Sequence, residues 1–355
     1  MTALHVSLGL NPPPLAAAWF SAPGLYASDT ADGIARGPAL IADFRRNRHA
    51  LTTVAAGGIG AATADALGGM RIAAFADLFI FTRASAAEYL DASGTAQQAA
   101  VDTPRFDYRN GVRQLLLEGP ATNLFLNAHA PATQTVTVSS GTQYTISCRG
   151  SGSLALSGAG SGTVTQATPV TLTASSTTLT LTVTGSLSRA QVETGSVASS
   201  FIQTSGAAAS RSADSCRFSP SAEALLQRTA ATVAVQGQGN QGTFGRFIGI
   251  GTGEELLRLN SGQTALLMGN TLAIASVSVP LPAFGLCAGW NGSGRAAAYN
   301  GGPAASDAVS AATAGQIFLG RNQTGAYAQG RFDAVQIWPF RAVNSSIQAK
   351  ANAFS

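Results

Sequence analysis

At 355 residues the chain exceeds one ordinary domain. Only 11% of it is charged, against about 25% in an average protein, while glycine reaches 40 residues, so its surface must be built from Ser, Thr, Asn, Gln and Gly. The net charge of +4 is spread along the chain, which argues against a nucleic-acid partner, and the single dense basic cluster, Arg45, Arg46 and Arg48 beside His49, reads as a solvated loop or a subunit contact.

In chain order, residues 1–80 carry Pro12 to Pro14, a Gly/Ala-rich middle and few alternating segments. Gly57 to Gly60 and Gly68 to Gly69 would break a long helix, so short strands and loops that need a partner surface are expected there. The N-terminus lacks the layout of a signal peptide and no run of about 18 apolar residues occurs, so no membrane insertion is expected. Residues 81–120 read as an extended linker. Thr103-Pro-Arg-Phe-Asp-Tyr is extended because proline disfavours helix before it, and Arg105 and Asp107 share a face on which they could pair.

Over 121–210 the period becomes two: Val136 and Val138, then Tyr144, Ile146 and Cys148, then Leu154 and Leu156, then Val170 and Leu172. Leu179, Leu181 and Val183 alternate with Thr178, Thr180, Thr182 and Thr184, placing an aliphatic face inward and a hydroxyl face outward. Turn residues separate these runs at the spacing of a small sandwich. A second block, 215–355, carries Val233/Val235, Phe247 to Ile250, Leu257/Leu259, Leu266/Met268, Val277/Val279, Leu286/Ala288, Ile317/Leu319 and Val335/Ile337, too many strands for one sheet. Asn300-Gly301 is its strongest hairpin signal. One helix is expected, about Ser345 to Phe354, capped by Asn344 with Ile347 and Ala351 on one face.

Chemistry-bearing motifs fail in turn. Gly237-Gln-Gly239-Asn-Gln-Gly242 has dinucleotide spacing but precedes a strand-like segment instead of a helix, so it reads as a hairpin. His5, His49 and His129 stand apart without ligand-spaced partners, and no serine occupies a nucleophile elbow. Glu254 and Glu255, the tempting carboxylate pair, would point to opposite faces of a strand. Cys148, Cys216 and Cys287 are odd in number and far apart, so they read as reduced, with Cys148 a core residue. Neither metal, cofactor nor catalytic residue is expected, and the chain reads as a non-enzyme.

Three stretches carry a family resemblance: Phe81-Thr-Arg-Ala-Ser-Ala-Ala-Glu-Tyr-Leu-Asp-Ala-Ser-Gly94, Asp102-Thr-Pro-Arg-Phe-Asp-Tyr108 and Leu115-Leu-Leu-Glu-Gly-Pro-Ala-Thr-Asn-Leu124. They resemble the signature of phage and prophage tail-fibre-type structural proteins. The sandwich after them, ending in Gln191-Val-Glu-Thr-Gly195 and Phe201-Ile-Gln-Thr-Ser-Gly206, is similar to carbohydrate-binding modules. Arg295 to Gly302, Gly330 to Trp338 and the last helix resemble a concanavalin-A-like (laminin-G-like) domain, without the acidic run of its laminarinase-type enzymes. The resemblance implies a virion component, assembled in the bacterial cytoplasm and released by lysis, exposed to the host surface, frequently oligomeric and sometimes sugar-binding.

The expected architecture is therefore mostly β: two successive antiparallel β-sandwich (jelly-roll) domains after an irregular attachment region, with one short C-terminal helix. Expected partners are other virion proteins through residues 1–80, further copies of the chain in a trimer, and host surface polysaccharide. Aromatic faces cover sugar C–H patches while amides and guanidinium groups satisfy hydroxyls. The densest mixture of those groups is Trp290, Asn291, Arg295, Tyr299, Asn300, Arg321, Asn322 and Tyr327, with Trp290 also fitting a core position.

Overall fold

The computed structural model describes residues 37–54, 67–239, 244–250, 255–260, 263–268, 270–276, 283–310 and 313–352. Two compact units emerge. One draws on residues up to 81, 112–115 and 215 onward; the other is 82–111 with 116–214.

The first unit is a sandwich of two antiparallel sheets. One runs in the order Ala305–Asp307, Gly294–Tyr299, Phe284–Asn291, Ala231–Gln238, Gly330–Trp338, Leu40–Asp43, Arg48–Val54, Leu67–Ile72. Its partner runs Asn270–Ser276, Gln263–Met268, Glu255–Asn260, Phe244–Ile250, Ile317–Leu319, Ser215–Phe218, Phe79–Thr82. Aromatic rings fill the space between them: Phe247 of one sheet meets Phe284 of the other at 4.5 Å between centroids, and Phe79, 5.1 Å from Phe218 on the neighbouring strand of its own sheet, meets Phe44 at the end of Leu40–Asp43 at 5.8 Å. The helix Asn344–Lys350 covers the outer face of the larger sheet, where Ile347 and Ala351 pack with Trp338, Cys287 and Phe340.

This arrangement corrects the division of the chain at residue 80. Leu40–Asp43 is not part of a separate attachment region; it lies between Gly330–Trp338 and Arg48–Val54, pairing with both. All four of its residues are buried, so it shows no alternation, which is why it escapes a period-two reading. The sandwich of 215–355 is completed by strands from the N-terminal segment. Residues 1–80 are expected to need a partner surface, but Leu40, Ile41, Ala42 and Phe44, each at most 2% exposed, are covered by the chain itself and need no second copy. Pro12 to Pro14, Gly57 to Gly60, Glu254, Val277 and Val279, and the centre of the Gly237 to Gly242 turn lie outside the described residues.

The second unit contains the small sandwich. Gln134–Thr137, Thr178–Thr184, Ser153–Gly158 and Gly162–Val164 form one sheet, and Val170–Thr173, Gln143–Gly150 and Leu187–Thr194 the other. Leu154, Leu156, Leu179 and Leu181 face Tyr144, Ile146, Cys148, Ala190 and Val192 across a single core. The threonines on Thr178–Thr184 point away from it, and the Thr135 and Thr180 hydroxyls pair at 3.0 Å across the strands. The two sandwiches are thus not successive: the small one is inserted into the sequence of the larger.

All three cysteines are buried. Asn300 and Gly301 both have positive φ, 43° and 72°, the backbone of a tight hairpin turn. Two short helices were not anticipated, Phe75–Leu78 and Pro220–Leu226. The second begins with a legible signal: Ser219 caps it and Pro220 is its first residue. At the last helix the cap is corrected. Asn344 is the first helical residue, and its side-chain oxygen accepts from Arg341 at 2.8 Å instead of capping. Among the described residues no helix is long and apolar enough to cross a membrane.

Candidate functional site

The eight residues singled out on the last domain do not converge. Trp290 and Arg295 are fully buried, and the Arg295 guanidinium is held by Asp307 at 2.9–3.0 Å. Trp290 and Arg295 are cross-strand partners at one end of a hairpin, whereas Tyr299 opposes Leu286 near the other. Four residues of extended strand, about 13 Å, separate the two ends. Asn291 turns its oxygen to Ser293, and Asn300 turns its own to the Gly285 N–H at 2.6 Å. Asn322 is buried and accepts from Ala326. Arg321 lies over the rings of Phe318 and Tyr327, 5.4 and 5.2 Å from their centroids, which fastens a loop of the other sheet. These groups are committed to the fold: sugar-binding residue types are also the ones that finish hairpins and cap loops.

A better-formed site lies within the second unit. An open groove of about 380 Å³ is lined by Tyr89, Asp107, Arg109, Ser147, Arg149 and Gln166, with Glu88, Arg189 and Phe201 beside them. Arg149 and Arg189 stand directly opposite each other on adjacent strands. Arg189 pairs with Glu88 and stacks on the Phe201 ring, 4.7 Å from its centroid. Arg109 pairs with Asp107 at 3.1 Å. Arg149 is exposed and forms no ion pair among the described residues. Partial burial of its guanidinium, then the charges of Arg109 and Arg189, lowers its pKa. Gln166 accepts the Gly150 N–H at 3.0 Å through its oxygen, leaving its amide N–H groups to the groove.

Beneath the groove the signature stretches meet in a buried polar network. Asp214 accepts from Arg83 at 3.1 Å, from Arg105 at 2.5 Å and from the Glu118 N–H at 2.8 Å. Arg105 also reaches Glu118 at 2.8 Å. The expected pairing of Arg105 with Asp107 is corrected here: both are buried on one face, but Asp107 takes the Leu90 N–H and Arg109 instead. Asn123 satisfies every hydrogen bond it can make, donating to Ala190 and Ile202 carbonyls and accepting from the Phe125 and Val192 N–H groups. Burial would raise the Glu118 carboxyl, but Arg211, Arg105 and the Ser200 donors outweigh it and hold it below the usual carboxylate range.

Glu193 behaves in the opposite way. Burial pushes it up to about 7 although Ser199 donates to it through both N–H and hydroxyl. Its ordinary value is 4.5, so between those values the folded chain holds a proton that the unfolded chain releases. Stability of the small sandwich is therefore expected to fall as pH rises from 4.5 through about 7, by about 2–3 kcal/mol at the upper end. Glu193→Gln mimics the protonated acid and should flatten this dependence in urea titrations followed by hydrogen exchange on Leu187–Thr194; an unchanged slope would exclude Glu193 as its source.

No group of three or more His, Cys, Asp or Glu able to hold a metal occurs among the described residues. No protein-family model matches the chain, and no curated protein does. Among solved structures it is similar to Trypanosoma rangeli sialidase, at 11% identity and a TM-score of 0.32, over 38% of this chain and 25% of the sialidase. It is also similar to the CBM40 domain of Ruminococcus gnavus IT-sialidase, at 12% identity and a TM-score of 0.31, over 38% of this chain and 88% of that domain. The same domain bound to α2,3-sialyllactose gives 13% and 0.30. The chain thus spans about a quarter of the sialidase. At these TM-scores the likeness decides nothing about ligand or activity.

Proposed function

We propose that this chain is a non-catalytic structural component of a bacteriophage or phage-like particle, a fibre, spike or tail protein, and that it binds host-surface glycan through the groove of its small sandwich. The observation that carries the binding part is the groove itself: an open site of saccharide dimensions, with an aromatic ring at Tyr89 and guanidinium, hydroxyl and amide groups at Arg149, Ser147 and Gln166. The particle role is supported by the resemblance of the signature stretches and by a surface poor in charge. Assembly into a trimer and attachment through the N-terminal segment belong to the same reading.

The test is binding of the purified full chain to a glycan array and to host cells. Tyr89→Ala combined with Gln166→Ala is expected to weaken binding about tenfold or more while the fold is retained. Undiminished binding would move the site elsewhere. Absence of any glycan ligand would favour a purely architectural adaptor, and release of oligosaccharides would overturn the non-catalytic reading.

A further inference from the structure

We infer that the groove of the small sandwich takes an anionic saccharide, its carboxylate or sulfate group seated against the Arg149 guanidinium. This rests on the glycan-binding reading above and adds the chemical class of the ligand.

Only 21 of 355 residues are Lys or Arg, yet Arg109, Arg149 and Arg189 line one groove. Arg149 and Arg189 are direct cross-strand partners, an arrangement that like charges make unfavourable by up to about 1 kcal/mol. The protein compensates two of the three guanidinium charges internally, through Glu88 on Arg189 and Asp107 on Arg109. Arg149, exposed at the groove, makes no ion pair among the described residues; Glu88 and Asp107 act on it only at longer range, each already paired with another arginine. A neutral sugar would leave the excess of three guanidinium groups over two carboxylates in place. A planar carboxylate or a sulfate would accept two parallel N–H bonds from Arg149 and supply the missing negative charge.

The surroundings suit a sugar ring carrying that anion. The Gln166 amide N–H groups and the Ser147 hydroxyl can meet ring hydroxyls, and Tyr89 supplies the only partly exposed aromatic ring among the groove-lining residues. Phe201 cannot take that role, because Arg189 covers one face of its ring and His129 meets it edge-on at 4.9 Å.

The experiment is calorimetric titration of the full chain with four polymers: hyaluronan, carboxyl-reduced hyaluronan, dextran sulfate and dextran. Each is measured with wild type, Arg149→Ala and Arg71→Ala. Arg71 is a surface arginine paired with Asp77 and controls for general attraction to a basic protein. Binding of hyaluronan or dextran sulfate in preference to its neutral counterpart, reduced about ten- to hundredfold in Arg149→Ala and unchanged in Arg71→Ala, is the expected result. Which of the two charged polymers binds separates carboxylate from sulfate. Hydrogen exchange on Gln143–Gly150 checks that Arg149→Ala is folded. Equal binding of charged and neutral polymers, or no effect of Arg149→Ala, would overturn the anion assignment and leave the glycan reading standing. If none of the four binds while the glycan array finds a different neutral glycan, the anion assignment alone falls; if neither finds a ligand, both fall.

Discussion

Asp214→Ala is expected to destabilise the second unit by about 3–5 kcal/mol, because it removes the carboxylate shared by two fully buried guanidinium groups and leaves Arg105 with Glu118 alone. Arg83 and Arg105 both have side chains with no solvent exposure, so neither can turn to water when Asp214 is removed. The Glu118 N–H would also lose its acceptor. The position closes the unit: Arg83 lies just after the chain enters it at residue 82, and Asp214 is its last residue. Hydrogen exchange on Gln143–Gly150 and Leu187–Thr194 should lose a hundredfold or more in protection. A loss below about 1 kcal/mol would mean that the network is not what fastens the ends of this unit.

His49 is expected to make the larger sandwich acid-labile. Burial, then the nearby Arg113 charge, lowers its pKa from 6.5 to about 4. Between these values the unfolded chain binds a proton that the folded chain refuses, so stability falls as pH drops from 6.5 towards 4, by about 3 kcal/mol in all. The ring sits against Phe44 and Phe75, at 5.8 and 6.2 Å between centroids, so His49→Phe keeps aromatic packing and removes the titration. Trp290 and Trp338, both buried in this unit, report its unfolding by fluorescence. Urea midpoints of the wild type should fall between pH 6.5 and 4 more steeply than those of His49→Phe. Parallel pH profiles would show that another group sets the acid limit.

What was legible in the sequence followed the range of the interactions. The small sandwich announced itself because each strand buries one face and wets the other, as Thr178–Thr184 does. Leu40–Asp43 did not, because burial on both faces erases the alternation. The signature stretches could be seen as motifs, yet their roles could not. Arg83 and Arg105 meet Asp214 across 131 and 109 residues, and no local pattern encodes such a partner. The groove was missed for the same reason. Its lining comes from separate stretches around Tyr89, Asp107, Arg149, Gln166 and Phe201, and the opposition of Arg149 to Arg189 depends on a register that only pairing reveals. Trp290 and Arg295 have the residue types of a sugar site but spend them in the core.

A crystal structure of the full chain with a bound acidic oligosaccharide decides whether glycan is held by the small sandwich. Ligand density in the groove bounded by Tyr89, Arg149 and Gln166, with its anionic group on the Arg149 guanidinium, is the predicted result. Density instead on the larger sandwich, at Tyr299 and Asn300 or at Arg321 and Tyr327, with the groove empty, would contradict it.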